Sequence, residues 1–103
     1  MPEVAAREAY MAAFHAAQAC LFERDGRSPK THSGVHAAFG LLAAGEPALG
    51  RRLGSLLPRA YNLKDISDYS TTRTVSEAQA GAAIRAAADF LATVEAFLGD
   101  PPG

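Results

Sequence analysis

The chain has no tryptophan, one cysteine and almost no net charge, −1 over 103 residues. Each scarcity excludes something. With Cys20 alone, no internal disulfide and no cluster of thiolate metal ligands can form. Cys20 lies in an apolar helical run and reads as a buried, inert thiol. No apolar run approaches 18 residues, so no segment reads as a membrane span. The opening MPEVAAREAY lacks the charged-then-apolar order of a signal peptide, and the expected compartment is the cytoplasm. Valine and isoleucine are few and sustained apolar–polar alternation is absent, which argues against a β fold. A net charge near zero argues against a general nucleic-acid binder.

What the sequence has in excess is alanine, 23 residues, concentrated in 5–19 and 78–96. Alanine is the best helix former because it loses no rotamer freedom, and its small side chain lets helices pack closely. Charge is unevenly spread: residues 1–23 sum to −2, residues 24–64 to +5 and residues 65–103 to −4. A basic middle between acidic flanks suits charge matching within or between subunits, or an anionic ligand on the middle segment.

The length fits one domain, expected over residues 1–98 with a frayed tail at 99–103. The spacing of Tyr10, Met11, Phe14, Ala17, Leu21 and Phe22 predicts a first helix from about Pro2 to Glu23, ended by Asp25-Gly26. A second helix is expected from Thr31 or Ser33 to about Gly45, carrying Val35, Phe39, Leu41 and Leu42. Pro47 fits a third helix start, and Pro58 should kink that helix or split it near Leu57. Ser76-Glu77-Ala78-Gln79, with Val75 before it, reads as a capping box opening the last helix. Its expected core stripe is Ala83, Ile84, Ala87, Phe90, Leu91, Val94 and Leu98. The fold class is therefore all-α, an up-and-down bundle of four to five helices.

Three stretches, AREAYMAAFHAAQACLFERDG, SPKTHSGVHAAFG and ALGRRLGSLLPRAYNLKDISDYS with TVSEAQA, resemble the small prokaryotic HEPN proteins across residues 4–98. The segment Lys30 to Val35, KTHSGV, is the most specific part. The resemblance implies a two-fold homodimer and a minimal nucleotidyltransferase as partner. It also implies a toxin–antitoxin-like setting, since some relatives are RNA-cleaving toxins. RNase-type members carry an Arg, four to six residues, then a His, late in the bundle. Here that region, Arg59 to Tyr69, holds no His, and Lys64 stands where relatives often show Arg. Lys lacks the planar fork that grips phosphate at two points. Arg27 to His32 meets the spacing but lies in the first loop. The leading expectation is thus a non-catalytic interaction module.

Were the chain a ribonuclease, Arg59, Lys64, His32 and Tyr69 would be the candidates. A weak nucleotide or phosphate site is the other alternative, on Arg7, Lys30, Thr31 and His32, where a helix start offers unpaired N–H groups. Tyr10, His15, Asp68 and Tyr69 read as structural polar residues. Arg7 on a largely apolar helix needs an anionic partner, and Asp68 in the Asp-Tyr element is the one expected. His32 and His36 are spaced i, i+4, but the sequence offers no evident third ligand. No metal and no cofactor are expected.

Overall fold

The computed structural model describes residues 1–70 and 72–99. Its four helices are α1 (Pro2–Asp25), α2 (His32–Gly45), α3 (Arg51–Tyr69) and α4 (Glu77–Gly99), an all-α up-and-down bundle with short connections. Of the tail expected to fray at 99–103, Gly99 is the last residue of α4, and 100–103 lie outside the described residues.

The local chemistry sets the helix ends. Pro2 occupies the first turn of α1, where its missing N–H costs nothing. Gly26 closes α1 at φ +74°, its N–H donating to the Phe22 carbonyl at 2.7 Å. Thr31 caps α2, its side chain accepting from the Gly34 N–H at 3.0 Å. At α4 the capping box is complete: Gln79 N–H donates to Ser76 Oγ at 3.0 Å, and Ser76 N–H donates to Gln79 Oε1 at 2.9 Å. Val75 is buried beside Ala6 and Ala80, which pins the entry of α4 onto α1.

Helix α1 is the centre of the bundle and packs against all three others. Its alanines Ala13 and Ala17 are fully buried, so neighbouring backbones come close. The core joins Tyr10, Phe14 and Leu21 of α1 to Val35 and Phe39 of α2, Leu57 of α3 and Phe90 and Val94 of α4. Phe39 and Phe90 meet at 5.2 Å between ring centroids. Where α2 crosses α3, a Cβ placed on Gly54 would lie 3.2 Å from Gly40 Cα and 3.3 Å from Ala43 Cβ. The crossing is that close because Gly54 has no side chain. Helices α3 and α4 barely touch, leaving a groove of 310 Å³ lined by Leu56, Leu63, Ala82 and Ala86 among others.

Three sequence expectations need correction. Pro47 does not start α3. The Leu49 and Gly50 N–H groups both donate to the Glu46 carbonyl, closing a turn, and Gly50 at φ +84° holds a backbone that a helix cannot use. Of the kink or split expected at Pro58, the split does not occur: α3 runs unbroken from Arg51 to Tyr69 with Pro58 inside it. Leu57 is fully buried and Gly54 is wedged on α2, so packing on both sides of the proline turn outweighs one lost hydrogen bond. The apolar stripes are also narrower than their sequence suggests. Phe22, Leu41, Ile84 and Leu98 are exposed, while Ala80 and Phe97 take positions on the core side of α4.

Candidate functional site

Three helices meet at Tyr10. Its ring is fully buried, and its hydroxyl lies 2.6 Å from Nδ1 of His32 and 2.8 Å from Nε2 of His36. The i, i+4 spacing on α2 is what aims both imidazoles at one point on α1. Phe14, one turn after Tyr10, stacks on His32 at 4.4 Å and 25°. Tyr61 of α3 closes the cluster, its ring edge-on to Tyr10 at 5.3 Å and to His36 at 5.5 Å. Burial, and then the neighbouring Tyr61, push the Tyr10 phenol far above its ordinary pKa, so it stays protonated. Burial, and then the nearby His32, push the His36 imidazole below its ordinary range.

A charged clamp borders this cluster. Asp68 Oδ2 lies 2.7 Å from Lys64 Nζ, and its Oδ1 accepts from Arg7 Nε at 3.2 Å. The Lys64 ammonium sits 5.5 Å from the Tyr61 ring centroid and 5.8 Å from that of Tyr69. The hydrogen bond from Lys64 is the main reason the Asp68 carboxyl is held below the usual carboxylate range. The same bond chiefly holds the Lys64 ammonium above its ordinary value. One carboxylate is therefore shared by two cations, leaving the trio with one net positive charge, and it ties α1 to α3.

The candidate residues separate into those gathered here and those placed elsewhere. Arg7, Tyr10, His32, Lys64 and Asp68 belong to one continuous patch. Tyr69 lies at its edge with its ring largely exposed. Arg59 does not reach it: its Nε donates to the Ser55 carbonyl at 3.2 Å and its Nη2 to Ser55 Oγ, and it lines the groove facing α4. Lys30 is exposed before α2, and the Thr31 hydroxyl oxygen is already engaged by its own helix. His15 bonds Gln18 at 3.0 Å on the exposed side of α1. Two members of the cluster gave little functional signal in the sequence: His36 stood out only as a metal-type spacing with His32, and Tyr61 not at all. The pairing of His36 with Tyr10 across 26 residues carries no local signal.

Chemically, the cluster holds two imidazoles on a neutral phenol, with an exposed His32 ring whose Nε2 is not engaged by Tyr10. Cys20 is fully buried, and burial raises its thiol pKa, so it is not a reactive nucleophile. No helix of the described residues is long and apolar enough to cross a membrane.

Comparison with known proteins agrees with this architecture. Putative toxin MJ0605 of Methanocaldococcus jannaschii is 36% identical over 73 residues, which cover 71% of this chain and 54% of that protein. The chain thus spans about half the length of that curated relative. No solved structure matches. The family model for the HEPN domain matches residues 2–97, nearly the whole chain. This chain belongs to the HEPN domain family.

Proposed function

We propose that the chain is a non-catalytic HEPN interaction module that forms a homodimer and pairs with a nucleotidyltransferase-family protein in a toxin–antitoxin-like system. The observation that carries this reading is that the cations a phosphodiester-cleaving site would need are held by internal partners. Lys64 and Arg7 are on Asp68, and Arg59 is turned away onto Ser55, although His32 keeps its outer ring nitrogen free of Tyr10. Cleavage of RNA needs a free base and a cation free to meet the developing charge. The toxin name of the relative supports the setting, and the family resemblance supports the dimer and the partner.

Size-exclusion chromatography with light scattering, at micromolar concentration, should give twice the monomer mass. Co-expression with a minimal nucleotidyltransferase encoded beside the gene should give a complex that co-purifies. A strict monomer with no such complex defeats the reading.

A second reading, a ribonuclease acting on RNA, is favoured by one observation, the exposed His32 ring fixed by a buried phenol. RNA cleavage by the purified chain, abolished in His32→Ala and in Lys64→Ala, would replace the first reading by this one. The arrangement is less favourable for a phosphate site on Arg7, Lys30, Thr31 and His32, because Arg7 and Thr31 already have internal partners.

A further inference from the structure

We propose that Tyr10 joins His32 and His36 into a single unit that takes up one proton and refuses a second, giving this face of the bundle one switchable positive charge. The geometry leads there directly. A phenol has one hydrogen to donate and can accept in return, while a neutral imidazole has one N–H and one bare nitrogen. The Tyr10 hydroxyl is within hydrogen-bond distance of one nitrogen from each ring, 2.6 Å and 2.8 Å. For both bonds to form, one facing nitrogen must carry a hydrogen and the other must be bare.

Protonation from solvent selects one arrangement. His32 is the exposed ring, and its Nε2 is the nitrogen not used by Tyr10. A proton added there leaves Nδ1–H donating to the Tyr10 oxygen, while the Tyr10 hydroxyl donates to bare Nε2 of His36. Every bond survives, and the neutral His36 then carries its hydrogen on Nδ1. The face of Phe14 against the His32 ring, at 4.4 Å, is a further attraction for that cation. A second proton on His36 would point two N–H groups at one oxygen. The buried phenolic hydrogen would lose its acceptor, and two cations would stand 6.4 Å apart between ring centroids. The bridge between α1 and α2 would have to break.

The other groups around the cluster do not offset this. From α3, the Tyr61 ring packs against both imidazoles. Beyond it, Lys64 and, from α1, Arg7 share the single charge of Asp68, and the positive charge left over opposes the second proton. His15, also on α1, lies outside, against Phe14. Lys30, in the loop before α2, adds positive charge and so opposes the second proton. Burial acts on His36 in the same direction.

Imidazole nitrogen NMR of the labelled full chain, followed from neutral to acid pH, reads the tautomers directly. With His32 charged, His36 should remain neutral with hydrogen on Nδ1 and a bare Nε2. In Tyr10→Phe, the His36 midpoint should rise toward 6.5, its ordinary value, and the fixed tautomer should be lost. The proposal is overturned if both rings charge together in the wild type, if His36 holds its hydrogen on Nε2 while His32 is charged, or if a folded Tyr10→Phe behaves like the wild type. The wild-type tautomer decides the matter even if that variant does not fold. None of these outcomes depends on dimerisation or on the nucleotidyltransferase.

Discussion

Asp68 is shared unequally between its two partners, and the inequality is measurable. Lys64 reaches it at 2.7 Å with side chains 16% and 17% exposed, whereas Arg7 reaches it at 3.2 Å with its own side chain 46% exposed. Water screens the second pair more than the first. Double-mutant cycles by urea unfolding should therefore give a coupling of about 1 kcal/mol for Lys64 with Asp68, against a few tenths for Arg7 with Asp68. Equal couplings would mean that the clamp works as one network. At this scale the sequence was legible in part. An arginine on an apolar helix demands an anion, which leads to Arg7, and the KTHSGV segment draws attention to His32. Nothing comparable marks Tyr61 or the role of His36, because their partner Tyr10 is brought to them only by tertiary packing. Arg59 shows the converse: its charge was obvious, but its direction depended on which face of α3 met α1.

Two glycines at one helix crossing make opposite predictions. A Cβ on Gly54 would press within 3.2 Å of the Gly40 backbone, while a Cβ on Gly40 meets nothing within 4 Å. Replacing a helical glycine by alanine stabilises by up to about 1 kcal/mol where space is free. Gly40→Ala should therefore raise the midpoint of thermal unfolding. Gly54→Ala gains the same propensity but must push α2 from α3, and overpacking of this kind costs about 1–3 kcal/mol, so it should lower the midpoint. The Ser76 cap gives a third element-scale test: Ser76→Ala should cost about 1 kcal/mol, and Gln79→Ala less, because it leaves the Ser76 hydroxyl on its N–H. The capping box and the glycine stop of α1 were readable because both are contacts within a few residues. The start of α3 was not, since Pro47 is an equally good turn residue and the choice fell to Gly50. Nor was the continuity of α3 through Pro58, which rests on where Leu57 and Gly54 are buried. Phe22, Leu41 and Ile84 misled for a related reason, as alanines fill the narrow core-facing stripes and leave larger side chains outside.

Across the whole molecule, the shifted groups set the pH range of stability. The His36 imidazole is pushed below its ordinary 6.5, so the unfolded chain binds that proton more readily than the folded one. Stability should therefore fall as pH drops through 6.5 toward the lower folded value. The Asp68 carboxyl is held below its ordinary 3.8, so its contribution is present above that value and is lost as the pH falls through the folded one. On the alkaline side, Tyr10 is raised above 10.0 and Lys64 above 10.5, so stability holds below those values and declines as the unfolded chain begins to release protons. The expected profile is a plateau between about 6.5 and 10.0, with a two-stage decline in acid. Unfolding free energies from urea titrations, carried from the plateau into acid below the ordinary carboxylate value of 3.8, give the profile, and the variants assign its steps. Asp68→Asn should remove the step at lower pH and leave the one near neutrality. Tyr10→Phe should lessen the step near neutrality but not remove it, because His36 no longer loses the phenol hydrogen bond on taking its proton, while its burial remains. If acid loss were instead a single step, unchanged in both variants, general charge repulsion rather than these two contacts would govern the acid limit of the bundle.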